Sequence, residues 1–174
     1  MEKTVVKWIV GGVFTAILIL GVLIANQLIE RKNKLERISS WPDLEVETIE
    51  GEPVSTLEFL SDDPILFTYF STTCRYCRNE ITDISKHTQL QKTVAVVLIT
   101  DESWDRIEEF RNYLGLNDNK EFIFLRDAKK SVKEFYGIRR VPATYLYNED
   151  GELIQLFKGE TKADLLFSTI QKSI

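Results

Sequence analysis

The stretch ILFTYFSTTCRYCRNE, residues 65–80, decides the fold of this chain, because it joins an apolar strand to a helix through a pair of cysteines. The apolar run from Ile65 to Phe70 predicts a buried β-strand. The only two cysteines of the chain, Cys74 and Cys77, fall on the first turn of the following helix, which we expect to run to about Gln89. Two thiols at this spacing can close a disulfide and open it again. The stretch therefore predicts a strand-to-helix unit that moves electrons between dithiols.

The two cysteines have different predicted roles. A helix N-terminus has unsatisfied backbone N–H groups and the positive end of the helix dipole, so it favours the thiolate form of Cys74 over the thiol. Arg75 and Arg78 add positive charge within one turn and stabilise the same anion. Because the thiolate is the nucleophile in disulfide exchange, we expect Cys74 to attack first. Cys77, one turn further along, is then placed to act as the resolving thiol.

Two other uses of a Cys-x-x-Cys pair are less well supported. A tetrahedral zinc site needs about four ligands, whereas this chain offers two cysteines and one histidine, His87. Along an ideal helix His87 would lie about 15 Å from the pair, and we expect it to be a surface residue. A permanent structural disulfide would close a loop of only two intervening residues and remove little chain entropy. We therefore expect no metal and no organic cofactor.

The N-terminal part of the chain predicts a membrane anchor. Residues 8–25 are 18 uncharged and mostly apolar residues, close to the lower limit for a helix that spans a bilayer. A cleaved signal peptide is the alternative, but the run is long for its apolar core and no clear A-x-A cleavage site follows. A charged stalk then ends near Trp41-Pro42. The predicted organisation is a tail with a transmembrane anchor (1–30), a juxtamembrane stalk (31–42) and one domain (43–174).

The basic residues around this segment bear on its orientation. Lys3 and Lys7 precede the run, whereas four basic residues follow it between positions 31 and 37. These charges alone would place the domain in the cytoplasm by the positive-inside rule. The short preceding tail also carries net positive charge, however, and large domains can cross a membrane regardless of flanking charge. We therefore expect a single-pass protein whose domain lies outside the cytoplasm.

The charge of the predicted domain excludes one class of partner. Six of the 22 basic residues and three of the 27 acidic residues precede position 38, so the rest of the chain carries a net charge of −8. Binding to the phosphates of a nucleic acid requires a basic face. We therefore expect no nucleic acid partner.

The remainder of the domain alternates between strand and helix patterns. The nearly continuous apolar run 94–100 is typical of a strand covered on both faces. Helices are expected after a cap at Asp127 and, at the end of the chain, after a capping box formed by Thr161 and Asp164. Between them, Asn148-Glu149-Asp150-Gly151 predicts a hairpin turn. This order predicts an α/β fold with a mixed central sheet flanked by helices.

The order of these motifs resembles the thioredoxin fold and, more closely, the membrane-anchored TlpA/ResA group of bacterial thiol-disulfide oxidoreductases. The likeness covers residues 44–170. No single motif is decisive, but their joint order and spacing are specific. The matching motifs are Gly51, the Cys-x-x-Cys-Arg-x-Glu run from Cys74 to Glu80, Asp127, Tyr136-Gly137-Ile138, Val141-Pro142, Asp150-Gly151 and Gly159.

The resemblance implies roles for three further residues. Pro142 matches a proline whose preceding peptide bond is cis in this fold and that faces the redox pair. Val141 would offer its backbone groups to an extended segment of the substrate. Glu80 matches an acidic residue that this group places near the dithiol, where it could accept the proton of Cys77. A solvated helix carboxylate without such a role is the alternative for Glu80.

The resemblance also implies clients, a location and a partner. The clients would be disulfides of extracytoplasmic proteins, for example during cytochrome c maturation, and a transmembrane electron donor would restore the dithiol. The chain would act as a reductant in the bacterial cytoplasmic membrane, with its domain facing the periplasm or the cell exterior. Three positions depart from the group. Thr73 replaces a tryptophan, Tyr76 replaces a proline, and Thr68 replaces the acid that thioredoxins place six residues before the first cysteine.

Two other functions are compatible with this fold. A peroxiredoxin shares it, and Ser71-Thr72-Thr73-Cys74 satisfies part of the peroxidatic signature. That signature also has a proline seven residues before the cysteine, where this chain has Phe67. A non-catalytic, membrane-tethered binding module would instead use the groove beside Pro142 for a peptide. The presence of both Cys74 and Cys77 favours disulfide exchange over these alternatives.

Overall fold

The computed structural model describes residues 2–173, and within its first helix it describes side chains from residue 17 onward. The chain forms two compact units, one up to Arg37 and one from Ile38 onward. The first unit is the helix α1, Glu2–Arg37. Residues 8–16 of the predicted membrane span lie outside the described side chains. Within the described part of the chain, no helix has both the length and the apolar character needed to cross a membrane.

The second unit alternates strands and helices, as predicted. Its strands are β1 (Glu45–Glu47), β2 (Pro53–Ser55), β3 (Ile65–Tyr69), β4 (Ala95–Thr100), β5 (Phe122–Arg126), β6 (Ala143–Tyr147) and β7 (Leu153–Lys158). Its helices are α2 (Arg75–Lys86), α3 (Thr88–Gln91), α4 (Trp104–Leu114), α5 (Ser131–Tyr136) and α6 (Ala163–Ser173), with a short 3-10 helix at Thr56–Phe59.

The strands form one sheet in the order β2-β1-β5-β4-β3-β6-β7. The central strands β5, β4 and β3 run parallel, whereas β6 is antiparallel to β3 and β7 is antiparallel to β6. At the other end, β1 is antiparallel to both β2 and β5. The prediction of a mixed central sheet flanked by helices is therefore confirmed.

The strand β3 shows how the sheet is held from both sides. Successive side chains of a strand point to opposite faces. Leu66 packs into a core that includes Ile81 of α2 and Leu166 of α6, and Phe67 packs into a second core that includes Tyr136 of α5. Every residue of β3 is buried, which agrees with its mostly apolar sequence; Thr68 is its buried hydroxyl residue. The strand that leads to Cys74 is thus fixed by two separate cores.

The helix after the cysteines is shorter than predicted, and His87 is the reason. α2 ends at Lys86, and α3 begins after His87, whose Nδ1 accepts a hydrogen bond from the Leu90 backbone N–H at 3.0 Å. The His87 ring also packs against Phe167 of α6, and its side chain is only 18% exposed. The predictions of a continuous helix to Gln89 and of a surface histidine were therefore wrong, because the imidazole acts as a helix cap.

The two predicted helix caps near the end of the chain have different outcomes. The residue at the N-cap position of α5 is Lys130, but the Asp127 carboxylate accepts hydrogen bonds from the backbone N–H groups of Val132 and Lys133, so Asp127 caps the first turn as predicted. The prediction of a capping box formed by Thr161 and Asp164 was wrong. The Ala163 N–H at the start of α6 donates instead to Asp83 of α2, at 2.9 Å. A distant carboxylate therefore replaces the local cap.

Candidate active site

Cys74 lies at the start of α2, just after β3. It is the N-cap residue, and its Sγ accepts a hydrogen bond from the Cys77 backbone N–H at 3.3 Å. The Cys74 side chain is half-buried, Cys77 is fully buried, and both thiols are free. The N-terminus of a helix stabilises an anion held there. The thiol predicted to attack is therefore the accessible one, and the thiol predicted to resolve is enclosed by the protein.

The loop before β6 meets Cys74 from the other side. The peptide bond between Val141 and Pro142 is cis. The Cys74 thiol donates a weak hydrogen bond to the Val141 carbonyl, with 3.7 Å between Sγ and O. The Pro142 carbonyl in turn accepts a hydrogen bond from the Gly159 N–H at 3.0 Å. The fold thus brings Val141, which precedes the cis-proline Pro142, to the Cys74 thiol.

Glu80 is a fully buried carboxylate on α2, and it has hydrogen-bond partners on two other segments. Its Oε1 accepts a hydrogen bond from the Thr144 hydroxyl at 2.5 Å, and its Oε2 accepts one from the Thr161 backbone N–H at 2.7 Å. The Thr144 hydroxyl also lies 3.0 Å from that of Thr68, which must donate, because the single Thr144 proton goes to Glu80. Burial raises the pKa of Glu80 to about 7, although these hydrogen bonds oppose the shift. The alternative of a solvated helix carboxylate is excluded.

The surroundings of Cys77 disfavour its thiolate. Burial is the main reason that the pKa of Cys77 is raised, and the hydrogen bond with Cys74 and the negative charge of Glu80 raise it further. A buried thiol of this kind needs a base before it can act as a nucleophile. Glu80 interacts electrostatically with Cys77 and has a pKa near neutral pH, so it is the residue suited to that task.

Glu102 is a site residue that the sequence reasoning missed. Its side chain accepts hydrogen bonds from the Ser71 hydroxyl at 2.6 Å, the Thr72 N–H at 3.0 Å and the Thr72 hydroxyl at 2.5 Å. Burial raises the pKa of Glu102, but these bonds and Arg106 lower it more, so the net shift is downward. Glu102 follows β4 and the two hydroxyl residues follow β3. These two strands pair in parallel, so their carboxyl ends lie side by side. A prediction of that pairing from sequence would have placed Glu102 near Ser71 and Thr72.

The two arginines predicted to favour the Cys74 thiolate flank it differently. Arg75 is exposed next to Cys74. Arg78 is half-buried, and its guanidinium carbon lies 4.8 Å from the ring centroid of Tyr113 on α4. The first turn of α2 contains no acidic residue. Both arginines therefore add positive charge near Cys74 that no carboxylate of that turn offsets.

Metal binding is not suggested by the described residues. Among them, no group of three or more histidine, cysteine, aspartate or glutamate side chains could hold a metal ion. His87 is occupied as a helix cap, with Nε2 3.3 Å from Asp164. The arrangement that remains is an accessible thiol, an enclosed thiol and a buried carboxylate, which together are suited to thiol-disulfide exchange.

Comparison with known proteins gives a family match over the same region. The model of the AhpC/TSA family matches residues 39–156. Thiol-disulfide oxidoreductase ResA of Bacillus subtilis is 24% identical over 152 residues, which cover 86% of this chain and 82% of ResA.

Solved structures show the same fold at low sequence identity. A secreted disulfide oxidoreductase of Mycobacterium tuberculosis, homologous to E. coli DsbE, has a TM-score of 0.61 at 22% identity, with 79% of this chain and 98% of that one covered. The peroxidoxin BcpB of the same organism has a TM-score of 0.65 at 17% identity, with 76% and 94% covered. The chain therefore has a thioredoxin-like fold. The two solved proteins that share it carry different names, a disulfide oxidoreductase and a peroxidoxin.

Proposed function

Because this chain belongs to the AhpC/TSA family, we propose that it is a thiol-disulfide oxidoreductase that exchanges its Cys74-Cys77 dithiol with disulfides of client proteins. One observation carries this proposal. An accessible thiol at a helix N-terminus lies 3.7 Å from the Val141 carbonyl, with a fully buried second thiol one helical turn away. The similarity to ResA supports the same reaction class.

The proposed reaction has two exchange steps. The Cys74 thiolate attacks one sulfur of the client disulfide, the client S–S bond breaks, and the departing client sulfur takes up a proton from water. Cys77 then loses its proton and attacks Sγ of Cys74 in the mixed disulfide. The bond between Cys74 and the client breaks, and the second client sulfur leaves as a thiolate that takes up a proton. The client gains two electrons and two protons, and Cys74 and Cys77 end as a disulfide. Val141 would align an extended client segment through its backbone.

Glu80 is proposed to take the proton of Cys77 in the second step. A general base works best when its pKa is close to the working pH, and burial places the pKa of Glu80 at about 7. Thr144 and Thr161 hold both carboxylate oxygens in place. A thiol whose pKa is raised by burial gains most from such a base.

The remaining proposals concern location and direction. We propose that the N-terminal helix tethers the domain to the bacterial cytoplasmic membrane, because residues 8–25 are uncharged and apolar side chains such as Leu20 and Ile24 are exposed on α1. The domain, residues 43–174, would face the periplasm or the cell exterior. There it would act as a reductant, for example in cytochrome c maturation, and a transmembrane donor would return its electrons.

Peroxide reduction is the second candidate, favoured by the family match and by the likeness to BcpB. Rate measurements on the reduced full-length chain, kept in mild detergent, separate the two. We expect a faster second-order reaction with a disulfide peptide than with hydrogen peroxide, with both lost in Cys74→Ser. A much faster peroxide reaction would instead assign the chain as a peroxidase. If the chain reacts with neither the disulfide peptide nor hydrogen peroxide, the result would favour a non-catalytic binding module.

The direction of exchange is tested by the redox potential of the dithiol. Equilibration of the full-length chain with glutathione buffers gives this potential directly. A value well below about −250 mV is expected for a reductant. A value near about −120 mV would make the chain an oxidant.

A further inference from the structure

A surface cavity of about 580 Å³ opens beside the active-site loop. Its walls include Thr72 and Thr73 of the loop before Cys74, Arg78 of α2, and Arg106 and Tyr113 of α4. Thr73 is bonded directly to Cys74, so the cavity begins where a client disulfide would meet the nucleophile. Whatever lies in this cavity during exchange would be part of the client close to its own cysteine.

Arg78 brings an incompletely paired positive charge to this cavity. Its Nε is buried and has no hydrogen-bond partner among the described residues. Arg78 follows Cys74 by four positions, and residues at this spacing lie on the same face of a helix, about 6 Å apart. Its guanidinium packs over Tyr113, which is 68% exposed. The cavity therefore has a positively charged group and an exposed aromatic ring next to the nucleophile.

Arg106 adds a second positive charge. It lies 3.6 Å from the Glu102 carboxylate, but that carboxylate already accepts hydrogen bonds from Ser71 and Thr72, and the Arg106 side chain is 60% exposed. Glu109 of α4 is the acidic residue among those that line the cavity, and its side chain is exposed. Two guanidinium groups thus face one carboxylate among the lining residues.

Three further arginines adjoin the residues of the active site in the chain. Arg75 adjoins Cys74, and Arg139 and Arg140 immediately precede Val141, whose carbonyl lies 3.7 Å from the Cys74 thiol. All three are exposed, and none is among the ion pairs formed by the described residues. We refer to Arg75, Arg78, Arg106, Arg139 and Arg140 as the arginine rim. It contrasts with the net charge of −8 that the chain carries from position 38 onward.

We propose that the arginine rim is a docking surface for acidic client segments, and this proposal rests on the proposed function. Guanidinium groups bind carboxylates through paired hydrogen bonds, and they stack on aromatic rings. A local patch of one sign also steers an oppositely charged partner during encounter. The preferred clients are therefore disulfides with aspartate or glutamate within a few residues of the attacked cysteine.

Three disulfide-bridged peptides that differ only in the residues flanking the reactive cysteine test this preference. The flanking residues are aspartate in one peptide, asparagine in the second and lysine in the third. With the reduced full-length chain at low salt, we expect the aspartate peptide to react about tenfold faster than the asparagine peptide. The lysine peptide should react slowest, and 0.5 M salt should compress all differences. Equal rates, or a faster lysine peptide, would overturn the docking surface.

Charge-matched variants assign the effect to the rim. The double variant Arg78→Gln with Arg106→Gln should bring the aspartate-to-asparagine ratio close to 1, whereas Lys120→Gln with Lys172→Gln should leave the ratio unchanged. The ratio is the readout, because a weaker Cys74 nucleophile would slow all three peptides equally.

The exposed pair Arg139→Gln with Arg140→Gln provides a second test without loss of any described side-chain contact, and it should lower the ratio too. An unchanged ratio in both arginine double variants would refute the proposal. If the wild-type chain reduces none of the three peptides, the proposed function itself fails.

Discussion

Replacing Glu80 with glutamine should stabilise the protein, and should do so only above the pH at which the carboxyl ionises. Glu80 is fully buried, and its pKa rises from an ordinary value of 4.5 to about 7, chiefly because of burial. At 1.36 kcal/mol for each unit, the ionised carboxylate costs the folded state roughly 3 kcal/mol. Glutamine avoids this cost and can keep both contacts, because its oxygen can accept from Thr161 and its amide can donate to Thr144.

The sign follows from proton linkage. Between pH 4.5 and 7 the folded state binds more protons at Glu80 than the unfolded state, so this contribution to stability is complete below pH 4.5 and is lost as the pH rises through 7. The gap in unfolding free energy between Glu80→Gln and the wild type should therefore widen by roughly 3 kcal/mol from pH 4.5 to pH 8.

Urea denaturation of the reduced full-length chain at several pH values measures this gap. Glu108→Gln, on the exposed face of α4, is the matched control for the loss of a surface carboxylate. A gap that stays constant across this pH range would refute the raised pKa of Glu80. A glutamine variant less stable than the wild type at pH 8 would show that the carboxylate is net stabilising.

The same substitution should slow the second exchange step. If Glu80 accepts the proton of Cys77, loss of the base should reduce the rate of mixed-disulfide resolution about 100-fold at pH 7.5. In the wild type, this rate should level off above pH 7, where Glu80 is ionised, and fall below it. In Glu80→Gln the change of slope near pH 7 should disappear, and the rate should rise steadily with pH because the raised pKa of Cys77 keeps that thiol protonated. Rapid-quench mass spectrometry of the mixed disulfide follows the step directly. Equal resolution rates in the two proteins would remove Glu80 from the mechanism.

Two further substitutions test how the site is supported. Glu102→Gln removes the charge that Ser71 and Thr72 donate to, so we expect faster hydrogen exchange at the Thr72 amide and a loss of about 2 kcal/mol in unfolding free energy. Unchanged protection of that amide would show that Glu102 does not hold the loop. Asp127→Ala removes the acceptor for the Val132 N–H at the start of α5 and should cost about 2 to 4 kcal/mol in urea denaturation, whereas a loss below 0.5 kcal/mol would contradict the cap.

The parts of this molecule that could be predicted from sequence depend on local pattern. The buried strand from Ile65 follows from a mostly apolar run, and the placement of Cys74 at a helix start follows from the change of pattern after it. The position of Pro142 beside the dithiol came from the resemblance. Each of these features depends on a short stretch of chain or on a motif with a fixed structural meaning.

The parts that could not be predicted depend on contacts between distant segments. Thr144 and Thr161 reach Glu80 from 64 and 81 residues away, and nothing in their own neighbourhoods marks them as partners of a buried acid. Asp83 caps α6 from 80 residues away, so the local capping box of Thr161 did not form. The contacts of Glu102 were missed for the same reason. Its hydroxyl partners, Ser71 and Thr72, come close to it only when β3 and β4 pair.

The central claim is that Cys74 captures a client and Cys77 releases it, and trapping measures this most directly. The full-length variant Cys77→Ser is mixed with an excess of a disulfide peptide, and the products are identified by peptide mass mapping without reduction. We expect one stable mixed disulfide at Cys74 in Cys77→Ser, and little adduct at Cys77 in Cys74→Ser because that thiol is buried. Faster adduct formation at Cys77, or no adduct in either variant, would contradict it.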